Sequence, residues 1–226
     1  RPVGSRSFRR VWPLALETAR MKPAHRSQRG FTLLEVLISL LILLIGLLGI
    51  AVLMLKGQRA SFEGYQRQQA LAMAQEMAEK IRSNKGVAAA YVTGTTDGPN
   101  MPGRGGRFAT YQALSDAGKC LTADCDAANM AQNHLATWDG VLVGASETKD
   151  AATNRVGGII GARGCVERPD ATQPIFWVSV AWQGEGDTVA PDATGSACGA
   201  GLYGTAARRR LVTLTVGTCV PGGSGC

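Results

Sequence analysis

The chain has 226 residues, 45% hydrophobic and 18% charged, which suits one globular domain plus an extension, or two very small domains. A mean hydropathy near zero excludes a polytopic membrane protein and argues against a wholly disordered chain. The formal charge of +7 invites a nucleic-acid reading, yet residues 1–30 hold eight basic side chains and one acidic, while residues 31–226 hold sixteen of each. The excess lies ahead of Phe31, so the pI carries no argument for DNA binding by the body of the chain.

Residues 31–55 read FTLLEVLISLLILLIGLLGIAVLML, 25 residues with Glu35 as the single charge. As a helix this run is about 37 Å long at 1.5 Å per residue, enough for the roughly 30 Å hydrocarbon core. It is apolar on every face, unlike the striped helix of a small soluble domain. It also exceeds the apolar region of a cleaved secretory signal and ends in Met54-Leu55-Lys56-Gly57, without a small-residue cleavage pattern. Lys22, His25, Arg26 and Arg29 precede it, so its start faces the cytoplasm and the chain beyond Lys56 is exported.

The junction Arg29-Gly30-Phe31-Thr32-Leu33-Leu34-Glu35 puts a glycine just ahead of the apolar run and a carboxylate five residues into it. A carboxylate within lipid is costly, about 2.5–3.5 kcal/mol at a helix centre and less near an end. Glu35 is therefore either an interfacial residue snorkelling to headgroups or a group with a partner. These residues resemble the class III signal of type IV prepilins. The resemblance implies a membrane aspartic peptidase that cuts between Gly30 and Phe31 and then N-methylates Phe31. It also implies that Glu35 of one subunit pairs with the cationic Phe31 amine of its neighbour once the helices bundle, because an unpaired buried carboxylate would be very costly. Met21 is the first methionine, so residues 21–30 read as a basic prepilin leader and residues 1–20 as an upstream, non-native extension.

From Gln58 to Asn84 the pattern turns amphipathic. Ala70, Met73, Ala74, Met77, Ala78 and Ile81 form one helical stripe. Strong helix formers and the lack of proline between Pro23 and Pro99 predict one helix over residues 31–84, roughly 80 Å long. Its first half (31–55) lies in membrane or filament core, and its second (56–84) packs on an exported head (85–226). Gly46, Gly49, Gly57 and Gly64 mark places where it can bend.

In the head, residues 94–106 form a Gly/Pro-rich loop without a phosphate-binding pattern. Residues 126–143 have helical spacing through Ala127, Met130, Ala131, Leu135, Trp138 and Leu142, capped by Asp124 or Asp126. Three strands are predicted, over residues 156–166, 174–183 and 208–219. The second alternates Phe176, Val178, Val180 and Trp182 against Ile175, Trp177, Ser179 and Ala181; the third alternates Leu211, Thr213 and Thr215 against Val212, Leu214 and Val216. The expected fold is α+β and pilin-like: a long N-terminal helix with a small antiparallel sheet head.

All six cysteines follow the apolar run, and an even count outside the cytoplasm favours disulfides. Of the 15 possible connectivities, the favoured set joins Cys120 to Cys125, Cys165 to Cys198 and Cys219 to Cys226. No metal site and no cofactor are expected: CxxC is absent and His134 is the lone histidine of the head, a surface or satisfied core residue rather than a ligand. No Gly-x-Ser-x-Gly elbow, HExxH or supported His/Cys dyad points to an enzyme.

A second resemblance covers the head. Ala70-Leu71-Ala72, the run Met77-Ala78-Glu79-Lys80-Ile81-Arg82-Ser83-Asn84, Trp138, Gly164-Cys165, Val180-Ala181-Trp182 and Arg209-Arg210 are similar, in order, to the minor pilins known as type IV pilus modification proteins. That implies a structural role in pilus assembly or priming. The implied partners are other minor and major pilins, the prepilin peptidase/N-methyltransferase, the inner-membrane assembly machinery and, before assembly, membrane lipid. The protein would cross the inner membrane once, head in the periplasm, and then enter the pilus. A type II secretion pseudopilin is the alternative, though the head lacks the acidic calcium loop of several pseudopilin classes. An adhesin or DNA-binding module is another. Arg208, Arg209 and Arg210 are the one basic run of the mature chain, read here as a charged strand entry that blocks edge pairing, so nucleic acid is not an expected partner.

Overall fold

The computed structural model describes residues 30–105, 109–122, 124–145, 147 and 157–218. The chain divides into two compact units, Arg1–Ile50 and Ala51–Cys226. Helix α1 (Leu33–Ser83) begins in the first and ends in the second. It starts two residues later than the apolar run because Thr32 serves as its cap. The four glycines leave it unbroken, and each has open space where a Cβ would sit. A helix-interior glycine costs about 1 kcal/mol relative to alanine, which the strong helix formers between them absorb.

Within the first unit every described side chain is exposed. In the second, α1 buries Gln66, Ala70, Ala74, Met77, Ala78 and Ile81, with Met73 half-buried, which is the expected stripe extended by one turn. The alanines leave room for the bulky residues opposite. A 3-10 segment, Lys85–Tyr91, follows, then the single turn α2 (Ala109–Gln112) and helix α3 (Ala127–Leu142). Asp126, not Asp124, caps α3: its carboxylate accepts the Asn129 N–H at 2.7 Å. Helix α3 turns Ala131, Leu135, Trp138 and Leu142 inward, whereas Ala127 lies outside the core.

Three strands, β1 (Arg163–Glu167), β2 (Ile175–Gln183) and β3 (Arg209–Gly217), form an antiparallel sheet in the order β1-β2-β3. The first strand is much shorter than residues 156–166. Residues 157–162 bend and turn instead, because Gly157 and Gly158 pass against the end of α3. A Cβ on Gly158 would lie 2.6 Å from the Val143 carbonyl carbon, so these glycines serve close backbone approach rather than a ladder. Val156 lies outside the described residues, as does Cys219 at the end of the predicted third strand, while Arg208 ends a 3-10 turn instead of opening the strand.

Phe176, Val178, Val180 and Trp182 join α1, α3 and Val216 in the main core. The opposite face of β2 is also covered at its centre: Ser179 and Ala181 are buried beside Cys165, Cys198, Tyr203 and Met101. Alternation alone marked that face only as the second side. The connection from β2 to β3 folds back over it, held by the Cys165–Cys198 disulfide.

Candidate processing and assembly site

The site lies where irregular chain becomes helix. Gly30 and Phe31 precede α1 in non-helical conformation, and Phe31 is 82% exposed. Thr32 caps the helix: its carbonyl accepts N–H bonds from Glu35 at 3.0 Å and Val36 at 3.3 Å. Its Oγ1 also lies 3.3 Å from the Glu35 N–H. The Thr-x-x-Glu spacing is a capping-box pattern. Both residues for it, Thr32 and Glu35, stand within the Gly30–Glu35 junction of the sequence. Glu35 occupies the first turn of α1, where the positive end of the helix dipole favours a carboxylate. Its own carbonyl accepts the Ser39 hydroxyl at 2.7 Å. Among the described residues, no cation pairs with the Glu35 carboxylate.

Chemically, this arrangement offers an accessible Gly30–Phe31 peptide bond outside any helix, as a protease needs an extended substrate. Downstream, the apolar part of α1 is long enough to cross a bilayer and none of it is buried. The core helix of a soluble protein would be mostly buried.

The head holds no comparable reactive constellation. Among the described residues no group of three metal-ligating side chains occurs. His134 takes part in a hydrogen-bond junction: its Nδ1 lies 2.7 Å from the Tyr91 hydroxyl, which also receives Asn84 Nδ2 at 3.2 Å and contacts the Lys80 carbonyl at 3.3 Å. Burial first, and then the charge of Lys80, holds the imidazole below its ordinary pKa, with Glu76 opposing. Burial raises the Tyr91 phenol, opposed by the Asn84 bond.

Asp139 is buried on α3, and nothing in the sequence around it distinguishes it from a surface aspartate. Its Oδ1 accepts the successive N–H groups of Gly103, Arg104 and Gly105 at 2.7, 2.8 and 3.1 Å. Gly103 and Gly105 have φ of +102° and +89°, which curls the loop into a nest around the carboxylate.

The arginine run makes its contacts within the head, with Arg208 exposed. Arg209 is buried and donates to the carbonyls of Ser196 and Cys198, both at 3.0 Å. Arg210 pairs with Glu63 at 3.1 Å and Arg208 with Asp187 at 3.1 Å. Disulfides join Cys120 to Cys125 and Cys165 to Cys198, with Cα separations of 5.2 and 5.8 Å. Cys219 and Cys226 lie outside the described residues.

A long apolar N-terminal helix followed by a three-stranded antiparallel sheet is a pilin-like α+β fold. Residues 25–51, which contain Gly30, Phe31, Thr32 and Glu35, match the prokaryotic N-terminal methylation motif. The match is confined to this N-terminal segment; it supports a type IV prepilin-like class III signal and, beside the pilin-like fold, supports a type IV pilin-like protein, a class that is typically structural. Such a signal implies processing by a prepilin peptidase and assembly with pilins, and with the exposed apolar helix it fits membrane anchoring. No curated protein and no solved structure matches the chain.

Proposed function

We propose that this protein is a minor pilin of a type IV pilus, of the PilV type, acting in pilus assembly and priming without catalysis. Before assembly it crosses the inner membrane once, with the head in the periplasm. The peptidase cuts between Gly30 and Phe31 and methylates the Phe31 amine, which keeps its positive charge. In the filament, Glu35 of one subunit pairs with the Phe31 amine of a neighbour. That pairing offsets two desolvation costs at once and sets the axial register of the helices.

The observation that supports this reading best is the capped start of α1: an exposed, non-helical Gly30–Phe31 bond sits directly ahead of a helix whose first turn presents a carboxylate without a cationic partner among the described residues. Burial of Arg209 against two carbonyls and pairing of Arg210 with Glu63 count against reading the arginine run as a DNA-binding patch.

The test is mass spectrometry of the membrane-extracted protein, read at its N-terminus. The expected terminus is Phe31 carrying one methyl group. An intact leader, or a terminus elsewhere, overturns the proposal. Glu35→Gln is expected to insert and be processed normally but to fail to enter filaments. Normal incorporation would remove the pairing role.

A further inference from the structure

Among the described residues, strand β3 leaves one edge of the sheet unpaired. Two hydrogen bonds just beyond the strand ends establish its phase: Gly184 N–H donates to the Arg208 carbonyl at 2.8 Å, and Thr218 N–H donates to the Pro174 carbonyl at 2.9 Å. Both continue the β2–β3 register. The even-numbered residues of β3 therefore bond to β2, while Leu211, Thr213 and Thr215 direct their N–H and C=O groups outward. Among the described residues those outward groups have no partner.

The opposite edge of the sheet is closed. On β1, Gly164 N–H donates to the Pro102 carbonyl at 2.9 Å and the Val166 carbonyl accepts Thr93 N–H at 3.0 Å. Val166 N–H in turn donates to Thr93 Oγ1 at 2.9 Å. A sheet under pressure only to avoid association blunts both edges, with lysine, proline, a bulge or a covering loop. Strand β3 has none of these within its nine-residue run. Of the arginines expected to shield it, Arg209 and Arg210 are engaged with the head, and exposed Arg208 precedes the strand, paired with Asp187.

The core is also unfinished at this edge. Val178 and Val180 of β2 are fully buried, yet Leu214 and Val212, their partners on β3, are only partly covered by the same core. On the other face Thr213 and Thr215 stand in solvent. The missing cover thus has a pattern: apolar on the helix side, polar on the other, and supplied with main-chain hydrogen bonds.

We propose that the β3 edge takes an extended strand from a different pilin-like subunit. The strand pairs with the N–H and C=O groups of Leu211, Thr213 and Thr215 and lays alternate apolar side chains over Val212 and Leu214. A second copy of this chain is the poorer occupant. Antiparallel pairing of two identical edges sets a two-fold axis normal to the sheet, so the amphipathic parts of the two α1 helices, which pack on the sheet, would run in opposite senses. Subunits anchored in one membrane share a sense. The inference rests on the proposed function, which supplies neighbours of this class.

The test uses the full-length chain in cells, with the photo-crosslinker benzoylphenylalanine at Thr215, with and without Thr213→Pro. Proline at 213 removes one outward N–H and, with it, the Thr213–Ser179 hydroxyl contact, and leaves the main-chain bonds of the β2–β3 ladder in place. Thr215→Pro, scored by co-isolation with the same partner, challenges the edge a second time, and Leu214→Pro is the control that breaks the ladder. The expected result is an adduct mapping to an extended segment of another protein bearing a prepilin signal. Thr213→Pro should abolish it while the head keeps its protease resistance. Failure of the adduct to exceed that from a crosslinker at exposed Val189, an adduct to lipid or to a second copy, or an adduct indifferent to Thr213→Pro would overturn the proposal. The N-terminal mass is read in the same samples: a wrong terminus sinks the functional reading, and a Phe31 terminus with no strand adduct sinks the edge proposal alone.

Discussion

The indole N–H of Trp138 donates to the main-chain carbonyl of Met73 across 3.0 Å. This bond joins the middle of α3 to the amphipathic part of α1. The ring is fully buried, so the contact combines a large apolar area with one satisfied donor. Trp138→Phe removes the bond and part of the ring, and is expected to cost about 1–3 kcal/mol. Trp138→Ala should cost about 3–5 kcal/mol. Urea unfolding midpoints of the detergent-solubilised protein, followed by near-ultraviolet circular dichroism, would check both.

Gly164 makes that packing possible from the sheet side. A Cβ there would lie 2.5 Å from two ring atoms of Trp138 and 2.7 Å from Leu142 Cδ1. Gly164→Ala is therefore expected to destabilise by about 1–3 kcal/mol through overpacking. Pairing it with Trp138→Phe should give a cost below the sum of the two single changes, because both act on one contact. A double-mutant cycle in urea measures the coupling, and strict additivity would argue against the contact.

The Asp139 carboxylate serves three N–H groups of one loop. Asp139→Ala strands buried donors, at about 1–3 kcal/mol for each group left unsatisfied. Asp139→Asn retains an acceptor oxygen and should cost much less. Amide hydrogen exchange at Gly103, Arg104 and Gly105 should accelerate strongly in the alanine variant and only modestly in the asparagine variant.

Stability should fall as pH drops below the usual histidine value near 6.5, from which the folded-state pKa of His134 is displaced downward. In that window the unfolded chain binds a proton that the folded chain resists, so unfolding free energy rises with pH. The contribution is complete above about pH 6.5 and is lost as pH falls toward and through the folded-state pKa. His134→Gln should flatten this limb of the pH–stability curve; an unchanged curve would place the sensitivity elsewhere.

The two disulfides among the described residues should contribute unequally. By loop closure, Cys165–Cys198, 33 residues apart in sequence, is worth about 4 kcal/mol, against about 2 kcal/mol for Cys120–Cys125. Cys165→Ala/Cys198→Ala should lower the melting temperature more than the matching change at Cys120 and Cys125. Thermal melts of the two double variants decide the order.

What the sequence determined by itself follows from properties that act locally. The 25-residue apolar run, its charge asymmetry and the Gly30 to Glu35 junction depend on length, hydropathy and spacing, which no tertiary contact can rewrite. The same holds for the stripe from Ala70 to Ile81 and for the alternation of β2, because helix and strand periods are fixed by the backbone. Only the tertiary structure decided the rest. The first predicted strand shrank to Arg163–Glu167 because Gly157 and Gly158 had to pass the end of α3. Arg209 and Arg210, a basic run in the sequence, became internal partners of distant carbonyls and of Glu63. Asp139 acquired its role from a loop more than thirty residues upstream. The bare edge of β3 likewise cannot be read from its residues. Thr93 and Pro102 close one side of the sheet and nothing described closes the other, and which strand is left at an edge is settled only when the whole chain has folded.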